Sequence, residues 1–192
     1  MTLRRGFQAD AERHAARIRA ELGRDQASSV RIADIARHLG VRIVSADDLI
    51  EVERLRELER IQAFSFSACT FDIAGTKVIV FNPLRMPERT QSDIAHELSH
   101  VIADHQLSEI RIVAGMPFRT CLPDQEEEAT NLGGILLLPR PLLLKAALRG
   151  LSVDEIAIQN GVTTEMTRFR FNKSGAAKQA EGRGRRPKTS VS

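Results

Sequence analysis

The sequence predicts an α+β fold, mostly helical, with a small sheet of about three strands flanking the helix that carries His96 and His100. Two observations carry this. Over most of the chain apolar residues recur at intervals of three and four, the period of helices with one buried face. At residues 41–44 and again between residues 64 and 81 the pattern changes to short runs rich in β-branched and aromatic residues, which suit strands.

Taken in order, Phe7, Ala11, Ala15, Ile18 and Leu22 predict an amphipathic helix stopped at Gly23. Ile32, Ile35, Ala36 and Leu39 repeat the pattern, and Gly40 ends it before a short strand from Val41 to Val44. Asp47 and Asp48 are placed to cap a third helix with Leu49, Val52, Leu55 and Leu58 on its buried side. Phe64, Phe66, Ala68 and Thr70, then Lys77 to Phe81, read as two strands joined at Ala74-Gly75 in a hairpin. Asn82-Pro83 and Pro87 punctuate a loop. Thr90, with Asp93 three residues on, makes a capping pair for a helix running to about Asp104. Another helix follows Pro123, opens with Asp124 and Glu126 to Glu128 at the positive end of its dipole, and ends at Pro139. Shorter helices fit Leu142 to Leu148, Val153 to Gln159 and Thr164 to Phe171.

The 192 residues suit one domain, residues 1–172, with an appended tail. No apolar run approaches the roughly 20 residues that span a bilayer, so no membrane partner is expected. The start, Met-Thr-Leu-Arg-Arg, lacks the apolar region of a secretory signal, and the expected location is the cytoplasm. Cys69 and Cys121, the two cysteines, have no CxxC partner and read as small buried hydrophobes. Residues 173–192 hold six Lys or Arg against Glu181 alone, while the whole chain is +3. The body is thus mildly acidic, and contact with nucleic acid is expected through the basic tail or not at all. That tail, rich in Gly, Ser, Ala, Lys and Arg, is expected to be disordered.

The chemistry concentrates in His96-Glu97-Leu98-Ser99-His100, an HExxH sequence inside a helix. Spacing of i, i+4 stacks both imidazoles on one face, where they can grip one ion. Zinc suits imidazole with carboxylate, taking three protein ligands and leaving a fourth position for water. Glu97, about 100° round the helix from His96, is placed to take a proton from that water as general base. Two kinds of third ligand are on offer. His105 follows His100 by five residues but on a continuous helix points away from His96, whereas Glu126, Glu127 and Glu128 open the next helix.

The run FNPLRMPERTQSDIAHELSHVIADH, followed by EEEATNLGGILLLP, resembles the ImmA/IrrE group of bacterial metallopeptidases, and the opening RGFQADAERHAARIRAELG extends the likeness over most of residues 7–172. The resemblance implies a zincin-like fold with the sheet flanking the HExxH helix. It also implies Glu126 as third ligand, because the family's glutamate precedes the proline of its LLxP ending by thirteen residues, and that proline is Pro139 here. The implied activity is zinc-dependent endopeptidase cleavage of a helix-turn-helix repressor, relieving repression. Two positions depart from the family: Gly133-Gly134 stand where many relatives have Ala-Ala, and Thr130 where relatives have Asn. With no tyrosine in the chain, an oxyanion stabiliser has to be a histidine (His14, His38 and His105 are the candidates), an arginine or a backbone group. A competing reading is a DNA-binding or protein-docking module with a structural zinc site, since residues 152–172 hold two short helical patterns around Gly161, with Arg168 and Arg170 on the second. Ile156, Ala157, Val162, Met166 and Phe169 account for the same pair as core.

Overall fold

The computed structural model describes residues 3–63, 66–106, 110–113, 116–119 and 122–184. The first helix, α1 (Phe7–Glu21), buries the predicted stripe of Phe7, Ala11, Ala15 and Ile18. After α2 (Ile32–His38), β1 (Arg42–Ser45) and α3 (Val52–Ile61) comes the hairpin of β2 (Ala68–Ile73) and β3 (Thr76–Phe81). Strand order is β1-β3-β2. β1 runs parallel to β3, from Arg42↔Val78 to Ser45↔Phe81, and β2 runs antiparallel to it, from Ala68↔Phe81 to Ile73↔Thr76. The turn is Ala74-Gly75, with φ of 50° and 81°, as a two-residue hairpin of this twist demands.

Next come α4 (Pro87–Ile102), a second hairpin of β4 (Ile110–Val113) and β5 (Met116–Arg119), and α5 (Pro123–Leu137). Four helices close the described chain: α6 (Arg140–Leu148), α7 (Val153–Asn160), α8 (Thr164–Ser174) and α9 (Ala176–Gly184). α4 lies against β2, β3 and α5, and α1 packs on α5. Leu98 of α4, Ile135 and Leu136 of α5, Ile35 of α2 and Ile79 of β3 are fully enclosed in one core. Each such aliphatic side chain stabilises the fold by about 1.5–3 kcal/mol relative to exposure. No single helix among the described residues is long and apolar enough to cross a membrane.

Two buried arginines finish α5. The last carbonyls of a helix have no partner within it. Here Leu136 O accepts 2.8 Å from Arg19 Nη2, and Leu138 O accepts 3.2 Å from Arg170 Nε. Arg170 also donates 2.8 Å to Glu12. Burial pulls Arg19 down to about 10, with Glu12 opposing the shift, so it stays charged at neutral pH and suits the negative end of the helix. Arg170, spent on these contacts inside the protein, is withdrawn from any phosphate-facing role on α8, while Ile156, Ala157 and Val162 are core.

Several expectations need correction. α4 begins at Pro87, whose missing N–H and fixed φ suit a first helical position. Thr90 therefore lies inside the helix and donates to Met86 O. Asp47 and Asp48 sit in a 3-10 turn, α3 starts at Val52, and only Leu55 of its predicted apolar face is buried. The hairpin β4-β5 was not anticipated by the sequence reading. The expected disorder from Lys173 onward does not hold over residues 173–184. Gly175, at φ 67°, ends α8, and the buried Ala176 then seats α9 beside α6. Arg140 of α6 adds hydrogen bonds to Ser174 O and to Gln179 of α9, contacts between separate elements that composition alone cannot register. Residues 185–192, Phe64 and Cys121 lie outside the described residues, and Cys69 is half-buried.

Candidate metal centre

Ile94, Ala95 and Leu98 fix α4 in the core, and His96 and His100 emerge one turn apart along its flank. Their Nε2 atoms stand 3.2 Å apart. α5 approaches this stretch at Gly133, where a Cβ would lie 3.0 Å from the carbonyl carbon and oxygen of Ala95 and 3.1 Å from the nitrogen of His96. Backbone therefore meets backbone, and the crossing uses a residue without a side chain. Glu126, two turns back along α5, completes the group. Its Oε2 lies 3.1 Å from His96 Nε2 and its Oε1 3.5 Å from His100 Nε2.

Ligands about 2.0–2.1 Å from a tetrahedral zinc ion stand about 3.3 Å from one another. The two Nε2 atoms at 3.2 Å and Glu126 Oε2 at 3.1 Å from His96 lie close to that edge length, and the second Glu126 oxygen stands 3.5 Å from His100. Two imidazoles and a carboxylate are also the donor set of catalytic zinc sites, so the residues present fit the ion. Exposure is graded: the side chain of His100 keeps 6% of its surface, that of His96 28% and that of Glu126 34%. The cluster is closed on the His100 side and open on the other, as a site that must admit solvent requires.

Glu97 is buried and stands apart from the ligand cluster. Its Oε2 accepts a 2.7 Å hydrogen bond from Thr70 Oγ1 of β2. With His96 it borders a cleft of about 500 Å3, walled by residues 66–69 at the start of β2, by Arg89 and Asp93 of α4, and by Met166 of α8. Burial pushes the Asp93 carboxyl above its usual range, with Arg89 at 3.0 Å pulling the other way.

The predicted residues His96, His100 and Glu126 come together, and Thr130 Oγ1 reaches to 3.5 Å from His96 Nδ1, a long contact. His105 is no member of the cluster, yet neither does it point away. Its Nδ1 lies 3.0 Å from His100 Nδ1 and its Nε2 lies 3.1 Å from Glu128 Oε2. His14 meets Arg17, His38 meets Glu21, and neither lines the cleft. Sequence reasoning missed Thr70, for which no local signal exists. It also missed the roles of His105 and Glu128: the direction of the His105 ring was judged as on a continuous helix, whereas the chain turns back at Asp104, just after the end of α4.

The chain matches the family described as IrrE N-terminal-like domain, peptidase family M78, over residues 35–172. No curated protein matches it, and no solved structure does.

Proposed function

Because the chain belongs to peptidase family M78 through its IrrE N-terminal-like domain, and is thus a zinc metallopeptidase, we propose that it is an endopeptidase acting on a helix-turn-helix repressor. The observation that carries the reading is the convergence of His96 Nε2, His100 Nε2 and the Glu126 carboxylate at the spacing of a tetrahedral site, with Glu97 alongside. His96, His100 and Glu126 would hold the zinc. When bound, zinc supplies a Lewis acid that polarises a carbonyl and makes water a stronger acid.

The chain's own groups do the rest. Glu97 takes the proton of the attacking water and hands it to the leaving amine, so one carboxylate serves as base and then as acid. Thr70 holds one oxygen of that carboxylate and thereby fixes the direction of the other. β2 stands at the edge of its sheet beside the cleft, and a sheet edge takes up an extended peptide as an added strand, which supports a protein substrate. A repressor as that substrate is an inference from family likeness, and it implies action in the cytoplasm.

The test is metal analysis of the purified protein, then co-expression with a helix-turn-helix repressor encoded beside it. One zinc per chain and a truncated repressor that disappears with Glu97→Gln support the proposal. Zinc without cleavage of that repressor would remove the substrate assignment and leave the metallopeptidase.

A further inference from the structure

His100 is the most enclosed of the three ligands, and its second nitrogen faces protein. The reason lies in how α4 stops. Asp104 adopts a left-handed φ of 52°. His105 N then donates 2.9 Å to His100 O, and Asp104 N donates 3.3 Å to Val101 O. This pair of bonds is the Schellman ending of a helix, which turns the chain back over its last turn. The His105 ring is thereby folded onto His100, with centroids 5.1 Å apart. Glu128, from the second turn of α5, closes the far side of that ring and also meets Arg4 at 3.4 Å.

We propose that Glu128 and His105 form a proton-ordered relay that positions His100 as a metal ligand, an inference resting on the His96, His100, Glu126 site proposed above. The order follows from valence. To offer its Nε2 lone pair to a cation, neutral His100 must carry its proton on Nδ1. His105 Nδ1, 3.0 Å away, then has to accept. The His105 proton therefore sits on Nε2 and is donated to Glu128 Oε2 at 3.1 Å. Each atom in the line has one role, and no other assignment of protons leaves both rings neutral and every contact favourable. A carboxylate behind a ligating imidazole orients the ring and raises its basicity, and loss of such support weakens metal binding about 10–100-fold. Here a second imidazole carries that influence inward. Among the described residues, the contact at His96 Nδ1 is the 3.5 Å approach of Thr130, so the two histidines are unequally supported.

The alternative is that His105 merely fills space. Nitrogen NMR of the imidazoles in the zinc-loaded full chain separates the two: His105 protonated on Nε2 alone and His100 on Nδ1 are expected, and a His105 proton on Nδ1 overturns the relay. Zinc affinity by competition with a chromophoric chelator supplies a second readout. His105→Phe keeps ring volume, Glu128→Gln keeps the ring itself, and each should weaken zinc binding by roughly 10–100-fold. The double variant should be little worse than the weaker-binding single one. Thr130→Ala should change affinity less than about threefold, since it removes one long contact at an exposed site. Melting of the zinc-free variants shows whether they fold. Should His105→Phe fail to fold, an affinity for Glu128→Gln within a factor of about two of wild type still overturns the proposal. Failure of the wild-type chain to bind zinc would strike the site assignment itself, a result distinct from any of these.

Discussion

Thr70 Oγ1 and Glu97 Oε2 are 2.7 Å apart, joining the edge strand β2 to the helix α4 through a hydrogen bond removed from solvent. Thr70→Val keeps the shape and deletes the donor. It should lower kcat by about tenfold, the lower end of the effect of lost outer support, with zinc content unchanged. Thr70→Ser should restore most of the rate. Equal turnover by the valine variant would show that the hydroxyl does not position the base.

Glu97→Gln retains the size of the side chain but cannot accept the proton. Hydrolysis should fall by about 10²–10⁴-fold, while zinc stoichiometry stays at the wild-type value because the cluster does not include residue 97. Loss of the metal along with activity would instead make Glu97 part of the binding site.

Gly133→Ala sets two effects against each other. Alanine gains about 1 kcal/mol of helix propensity. Its Cβ would press at 3.0 Å on the Ala95 carbonyl, backbone that cannot swing aside, and overpacking costs about 1–3 kcal/mol. Packing should win: the variant melts lower and binds zinc more weakly, since α5 carries Glu126 away as it retreats. Denaturant unfolding and chelator competition read both, and an unchanged melting point would mean that the crossing distance is not set by this glycine.

Glu12→Ala leaves the buried guanidinium of Arg170 without its carboxylate. Breaking a fully buried pair costs about 3–5 kcal/mol, and this one less, on the order of 2–3, because Glu12 keeps some access to water. Arg170→Met, which removes the charge as well, should be the milder change. Urea midpoints of the two variants decide, and the reverse order would refute the ion-pair account.

Asp93 makes stability depend on pH in an identifiable direction. Its carboxyl is raised by burial, with Arg89 opposing, so folding favours the neutral form more than the unfolded chain does. That contribution is fully present below the unfolded value of about 3.9 and is lost as pH rises through the raised folded value. Zinc-free Asp93→Asn, permanently neutral, should therefore gain on the wild type as pH climbs through that interval and then hold a constant lead. A difference in urea midpoint that does not vary with pH would remove Asp93 from the explanation.

What the sequence disclosed and what it withheld follow the range of the interactions. His96 and His100 are legible because their i, i+4 spacing is a property of one helix, and the α1 stripe is legible for the same reason. The hairpin at Ala74-Gly75 announces itself through its turn residues. Thr70 on Glu97 and Glu128 on His105 join residues 27 and 23 positions apart, and only the packing of separate elements brings them together. α4 ends close to where its pattern runs out, but its start and the path of the chain beyond it were not legible. At its start a Thr-to-Asp pair imitates a cap although Pro87 already opens the helix, and at its end an aspartate does what glycine more often does.

That last residue reaches further than its own geometry suggests. Were α4 to run on for another turn, the five-residue gap from His100 would carry the next imidazole to the far side of the rod, and the acid on the neighbouring helix would keep Arg4 but lose its imidazole. A stop signal of one amino acid thus belongs to the wiring of the site as much as any donor atom does. Extending or trimming the helix by a residue would rewire the centre while leaving every ligand in place.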